Sequence, residues 1–142
     1  MMAFIQKKCE ELLRWREDDL IPYNAIHAAT MLNLVPKVEQ LLQDGQGINE
    51  TDWSKQTPLH WASIYCSEVL QFLLEKGGTK INAQDEYGNT PLNVAARHGR
   101  DDTVTLLLNH GANPLLTNFT MQTPLDAAKV NNNPTTVVIL QK

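Results

Sequence analysis

Apolar positions recur along the chain in short bursts at helical spacing. Val38, Leu41 and Leu42 form one burst, Val69, Phe72, Leu73 and Leu74 a second, and Val104, Leu106, Leu107 and Leu108 a third. Each predicts a short helix with one face against a core. Gly45, Gly77 and Gly111 follow the three bursts, where a residue free to turn left-handed ends a helix. Beyond them, Ile48-Asn49, Ile81-Asn82 and Pro114-Leu115 lead to Asp52, Asp85 and Asn118, side chains that bond back to their own backbone and form turns.

Between these bursts lies a second pattern with the same period. The strings Thr57-Pro58-Leu59-His60-Trp61-Ala62, Thr90-Pro91-Leu92-Asn93-Val94-Ala95 and Thr123-Pro124-Leu125-Asp126-Ala127-Ala128 are spaced 33 residues apart. A degenerate copy, Asn24-Ala25-Ile26-His27-Ala28-Ala29, sits one period earlier. Each Thr is placed to cap a helix with its hydroxyl, and each following Pro takes the first helical position, where no backbone donor is lost. His60, Asn93 and Asp126, three residues past the caps, are placed to bond back to the turn in the manner of a capping box. A helix pair this short cannot bury its own apolar face, so its stability must come from stacked neighbours.

A 33-residue unit opening on Thr-Pro-Leu-His or a near variant resembles the ankyrin repeat, and the resemblance covers residues from about 24 to 142. It implies an all-α solenoid of helix-turn-helix units with β-hairpin-like turns. The reading is one domain over 1–142: an N-terminal capping helix at 1–23, repeats at 24–56, 57–89 and 90–122, and a truncated fourth repeat or C-terminal cap at 123–142. In the N-terminal segment Phe4, Ile5, Cys9, Leu12, Leu13, Trp15 and Leu20 share one half of a helical wheel, as a cap over the first repeat would require.

Departures from the pattern carry expectations of their own. In the second repeat the inter-helix loop Tyr65-Cys66-Ser67 is one residue short, and Gly77-Gly78-Thr79-Lys80 is one residue long. The hairpin glycine present at Gly88 is replaced by Lys55 and Met121, so those two turns should be bent or strained. The last helix should start with Pro134 after Asn133 and leave Val137, Val138, Ile139 and Leu140 as an exposed apolar end.

Composition narrows the chemistry. With 42% hydrophobic and 20% charged residues the chain reads as an ordinary globular protein, and no run approaches the roughly 20 apolar residues of a membrane span. Lys7, Lys8, Glu10, Glu11, Arg14 and Arg16 interrupt any signal-type apolar stretch at the start. The expected location is cytoplasmic. The net charge is -4 and no basic patch stands out, which argues against nucleic-acid and membrane partners. Cys9 and Cys66 show neither disulfide nor zinc spacing, so no metal and no cofactor are expected.

His27 and His60 occupy one slot in successive repeats, which points to a repeated bonding role. The pair Cys66 and His60 leaves a remote hydrolase reading open. Gly77-Gly78-Thr79-Lys80 lacks phosphate-loop spacing and reads as a helix stop. Asp18-Asp19 and Asp101-Asp102 read as solvated charges at helix edges, the second pair at a helix start. No catalytic residue is assigned.

With chemistry set aside, recognition becomes the question. By resemblance, ankyrin proteins bind partners on a concave face built from the turn tips and the exposed side of each first helix. Carried over by offset, the partner-binding set is Trp53, Ser54, Gln56, Ile64, Tyr65, Glu86, Tyr87, Asn89, Arg97, His98 and Phe119, flanked by Met31, Leu32, Val130 and Asn131. Trp53, Tyr65 and Tyr87 lead the set, because aromatic rings bury much area at little entropic cost. The expectation is a monomeric, non-enzymatic adaptor or scaffold that grips a protein or peptide by an apolar anchor with polar or basic flanks. The alternative is a regulator or inhibitor of a partner enzyme. A chain with 21 Asn and Gln residues also leaves open an effector translocated into a host cell, if its origin is bacterial.

Overall fold

The computed structural model describes residues 25–65 and 67–142; the capping helix expected over 1–23 and the thiol of Cys66 lie outside them. Among the described residues there are eight helices and no strand: α1 Ala25–Met31, α2 Val35–Gln43, α3 Pro58–Tyr65, α4 Ser67–Lys76, α5 Pro91–Arg97, α6 Asp101–Asn109, α7 Pro124–Val130 and α8 Pro134–Gln141. The first helices, α1, α3, α5 and α7, stack in one row, and the second helices, α2, α4, α6 and α8, stack in another. The all-α solenoid implied by the repeats is what the chain forms.

One core runs the length of the stack. Ile26, Leu59 and Leu92 from the first row meet Val38, Leu41, Leu70, Leu73, Val104 and Leu107 from the second, all fully or nearly fully buried. Each such side chain contributes roughly 1.5–3 kcal/mol on leaving water. In α8, Val137, Ile139 and Leu140 are partly buried against this core, whereas Val138 remains exposed.

The helix starts follow the capping chemistry of the sequence. The Thr90 hydroxyl accepts the Asn93 amide at 3.2 Å. Thr123 and Asp126 close a reciprocal box, with the Thr123 amide donating to Asp126 Oδ2 at 3.0 Å and the Asp126 amide to the Thr123 hydroxyl at 3.2 Å. Hydrogen bonds from the Thr123 amide and from its hydroxyl hold the exposed Asp126 carboxyl below its ordinary pKa.

The short loop expected at 65–67 includes residue 66, which lies outside the described residues; residues 32–34, 98–100 and 131–133 separate the helices of the other repeats. The longer turn expected after α4 is visible in the backbone, where Gly77 and Gly78 both turn left-handed at φ 82° and 85°. Elsewhere polar side chains tie the loops of successive repeats together. Asn49 and Asn82 accept the amides of Lys80 and Asn113 at 2.8 and 2.9 Å, and Asn133 Nδ2 donates to the carbonyls of Ala96 and Arg97.

Between repeats the chain makes tight projecting turns, 52–56, 85–89 and 118–122, each closed by a bond from the amide of its first residue to the carbonyl of its last. The fourth residue is left-handed in all three: Lys55 at φ 61°, Gly88 at 78° and Met121 at 63°. The strain expected where glycine is missing is therefore present at Lys55 and Met121. Both side chains are exposed, so little packing is lost on removing them. Lys55→Gly and Met121→Gly should each stabilise the fold by about 0.5–1 kcal/mol, read as a rise in urea midpoint; a lower midpoint would show that the turns carry no strain.

Candidate functional site

Each tip is built by one polar side chain. Asp52 Oδ1 accepts the amides of Ser54 and Gln56 at 2.9 Å, Asp85 Oδ1 those of Tyr87 and Asn89 at 2.9 Å, and Asn118 Oδ1 those of Thr120 and Gln122 at 3.0 Å. These bonds fix the turn and aim the residues at its crest outward. The tips also bond to one another, the Glu86 amide to the Ser54 carbonyl at 2.9 Å and the Phe119 amide to the Tyr87 carbonyl at 3.0 Å. Gly88 makes the last approach possible, since a Cβ there would lie 2.7 Å from the Phe119 nitrogen and ring.

A second ladder ties each first helix to the tip that follows it. His27 Nε2 donates to the Gln56 carbonyl at 2.8 Å, His60 Nε2 to the Asn89 carbonyl at 2.8 Å, and Asn93 Nδ2 to the Gln122 carbonyl at 3.1 Å. The Asn93 side chain thus reaches forward to the next tip rather than back to its own cap. His60 does both, because its Nδ1 accepts the Thr57 amide at 3.1 Å. That acceptance requires the neutral ring protonated at Nε2. Burial holds its pKa below the ordinary 6.5 against the raising influence of the Asn89 carbonyl and of Asp85 and Asp52. Both nitrogens are committed to the fold, and neither is left to act as a base. Asp126 occupies the fourth slot, and as a carboxylate it can only accept.

The tips at 85–89 and 118–122 and the first helices of the third and fourth repeats enclose an open groove of about 590 Å³. Glu86, Tyr87, Phe119 and Thr120 stand on its tip side, and Arg97, Val130 and Asn131 at the ends of α5 and α7 form the other. Asn89, Asn118 and Gln122 lie between. Tyr87, Phe119 and Val130 are 65%, 68% and 70% exposed, so three apolar side chains face water around one depression.

Five residues of the sequence-derived set, Glu86, Tyr87, Asn89, Arg97 and Phe119, meet in this groove. Trp53, 87% exposed, stands on the tip between the first and second repeats, away from it. Ser54 and Gln56 are half-buried and spend polar groups on their neighbours, Gln56 donating to Asp85 Oδ2 at 3.3 Å. Asn89 is buried, and its Oδ1 accepts from Asn118. Ile64, Met31 and Leu32 are half-buried. His98 is exposed as the cap of α5, its Nδ1 donating to the Val94 carbonyl at 3.0 Å. The side chain of Tyr65 lies outside the described set. The offset rule missed Asn118 as a lining residue and Met121 as an exposed one, since it counted only crest positions and the residue before the cap.

Among the described residues no group of His, Cys, Asp and Glu is arranged to hold a metal, and no helix is long and apolar enough to cross a membrane.

Helix pairs stacked at a fixed period, with capped starts and a groove under projecting turns, define a helical-repeat scaffold. The family model for ankyrin repeats (3 copies) matches residues 1–85, 26–118 and 78–142, and the chain belongs to the ankyrin-repeat family. The members of this class are in general protein-protein interaction modules. The chain is 37% identical over 109 residues to XBAT35 of Arabidopsis thaliana, named as an E3 ubiquitin-protein ligase, covering 74% of this chain and 23% of that one. It is 36% identical over 87 residues to the palmitoyltransferase Hip14 of Drosophila melanogaster, covering 61% and 14%. It is 39% identical over 107 residues to the ankyrin repeat protein FPV031 of Fowlpox virus, covering 73% and 31%. The chain thus spans less than a third of the length of each of these relatives.

Proposed function

We propose that this chain is a non-enzymatic docking module that binds a protein partner along the tips and first helices, with its anchor in the groove between the third and fourth repeats. The observation that carries this reading is the convergence of Tyr87, Phe119 and Val130, all mostly exposed, on one depression. Apolar side chains gathered in this way mark contact surfaces, and aromatic residues with arginine dominate binding energy. Trp53 extends the surface toward the second repeat. A role in recruiting or restraining a partner enzyme is the second reading, favoured by the similarity to parts of chains named for ligase and palmitoyltransferase activity.

Replacing Tyr87, Phe119 and Val130 together with Ala tests the first reading. The set of proteins cross-linked to the chain in its native cytosol should be lost while the melting temperature stays within a few degrees, because these side chains contribute little to the core. An unchanged set would remove the groove from the binding surface.

A further inference from the structure

The groove has a floor of amide side chains, and its walls carry both apolar and charged groups. Arg97 is the one cation among its lining residues and Glu86 the one anion, and no ion pair joins them. Arg97 is exposed at the last position of α5. Its guanidinium is a planar fork that binds carboxylates by two parallel bonds.

The amides around it have spare capacity. Gln122 spends its Oε1 on Asn118 and keeps its Nε2 donor, and Asn131 spends its Nδ2 on the Ala127 carbonyl and keeps its Oδ1 acceptor. One free donor and one free acceptor suit the C=O and N–H of a peptide backbone. Glu86 on the tip side disfavours a doubly charged phosphate in the same space.

We infer that the groove takes an extended segment of a partner protein in which an apolar side chain lies next to an Asp or Glu, the apolar group between Tyr87, Phe119 and Val130 and the carboxylate on Arg97. This rests on the docking reading above and deepens it by fixing the chemistry of the occupant. It also replaces the basic flanks expected from net charge, because the local wall that carries a charge on the helix side is cationic. Arg97 selects the sequence, and the rings supply the area.

A displayed library of random short peptides, selected on the full chain, tests the inference. Wild-type selection should enrich Leu, Ile, Met, Phe or Trp beside or next but one to Asp or Glu. Arg97→Glu should replace that acidic residue by Lys or Arg, and should weaken binding of the wild-type-selected peptides by about tenfold or more, since an attraction becomes a repulsion. Circular dichroism of the variant should be unchanged, the side chain being exposed and unpaired.

An acidic preference that survives Arg97→Glu, or no charge preference at all, overturns the inference but leaves the docking reading standing if Tyr87→Ala and Phe119→Ala abolish binding. Selected peptides that bind those two variants as well as wild type overturn both. Absence of any enrichment overturns the inference, and the cross-linking comparison still decides the docking reading.

Discussion

Replacing His60 with alanine is expected to lower stability by about 3–5 kcal/mol. The loss has two sources. The Thr57 amide and the Asn89 carbonyl, both buried partners of the ring, are left unsatisfied at about 1–3 kcal/mol each, and a cavity opens where a fully buried ring stood. His60→Asn should cost roughly half as much, because Asn93 in the equivalent slot shows that an amide can reach the next tip carbonyl. Urea unfolding of the three proteins checks the order, and equal loss in both variants would show that an amide at this slot does not restore the bond to the next tip.

The same residue gives the chain a pH dependence with a definite sign. Burial depresses the pKa of the folded state below 6.5, so the unfolded chain binds more protons in the interval between the two values. The contribution of the neutral ring is whole above about pH 6.5 and is lost as pH falls from there toward the folded value, at up to about 1.4 kcal/mol per pH unit for one proton. The slope should be shallower in His60→Asn. A wild-type midpoint that tracked the Asn variant across this interval would show that the ring does not titrate on unfolding.

The second large effect is expected at Gly88. Alanine there forces a side chain into a left-handed backbone at a cost of about 1–2 kcal/mol, and its Cβ meets the Phe119 nitrogen at 2.7 Å. The tip must shift, and the bond from the Phe119 amide to the Tyr87 carbonyl goes with it. A total near 3 kcal/mol follows, together with a displaced Phe119 and a weakened groove. Gly45→Ala is the control: its φ is 100°, yet nothing lies within 4 Å of its Cβ, so only the backbone cost remains. If both substitutions cost the same in denaturant midpoint, contact with the next tip is not what Gly88 provides.

Much of the fold was legible because ankyrin-like order is local. The caps, the prolines at the first helical position and the terminating glycines each act within one turn of helix, and a fixed period repeats them until the register has no freedom. Even the extra residue after α4 in the second repeat could be counted. The site was legible only in part, for a different reason. Offset from the cap places Tyr87, Arg97 and Phe119 on the outward rows. It cannot say that Gln56 turns to Asp85 or Asn118 to Asn89, because those bonds exist only once two tips lie side by side. Nor does offset say how a first-helix side chain is directed. The second repeat carries Trp61 where the third and fourth carry Val94 and Ala127, and Trp61 lies edge-on to His27 at 5.6 Å and donates to Asp52 Oδ2. Spacing alone does not encode contacts of this kind.

The carboxylate in the fourth slot means that these modules are not freely permutable. Where His27, His60 and Asn93 offer a proton to the turn ahead, Asp126 offers lone pairs. A shuffled chain with this unit in second or third position would set oxygen against oxygen at the junction, unless Asp126 were changed to His or Asn. The order of units along the rod is written in the polarity of a single hydrogen bond.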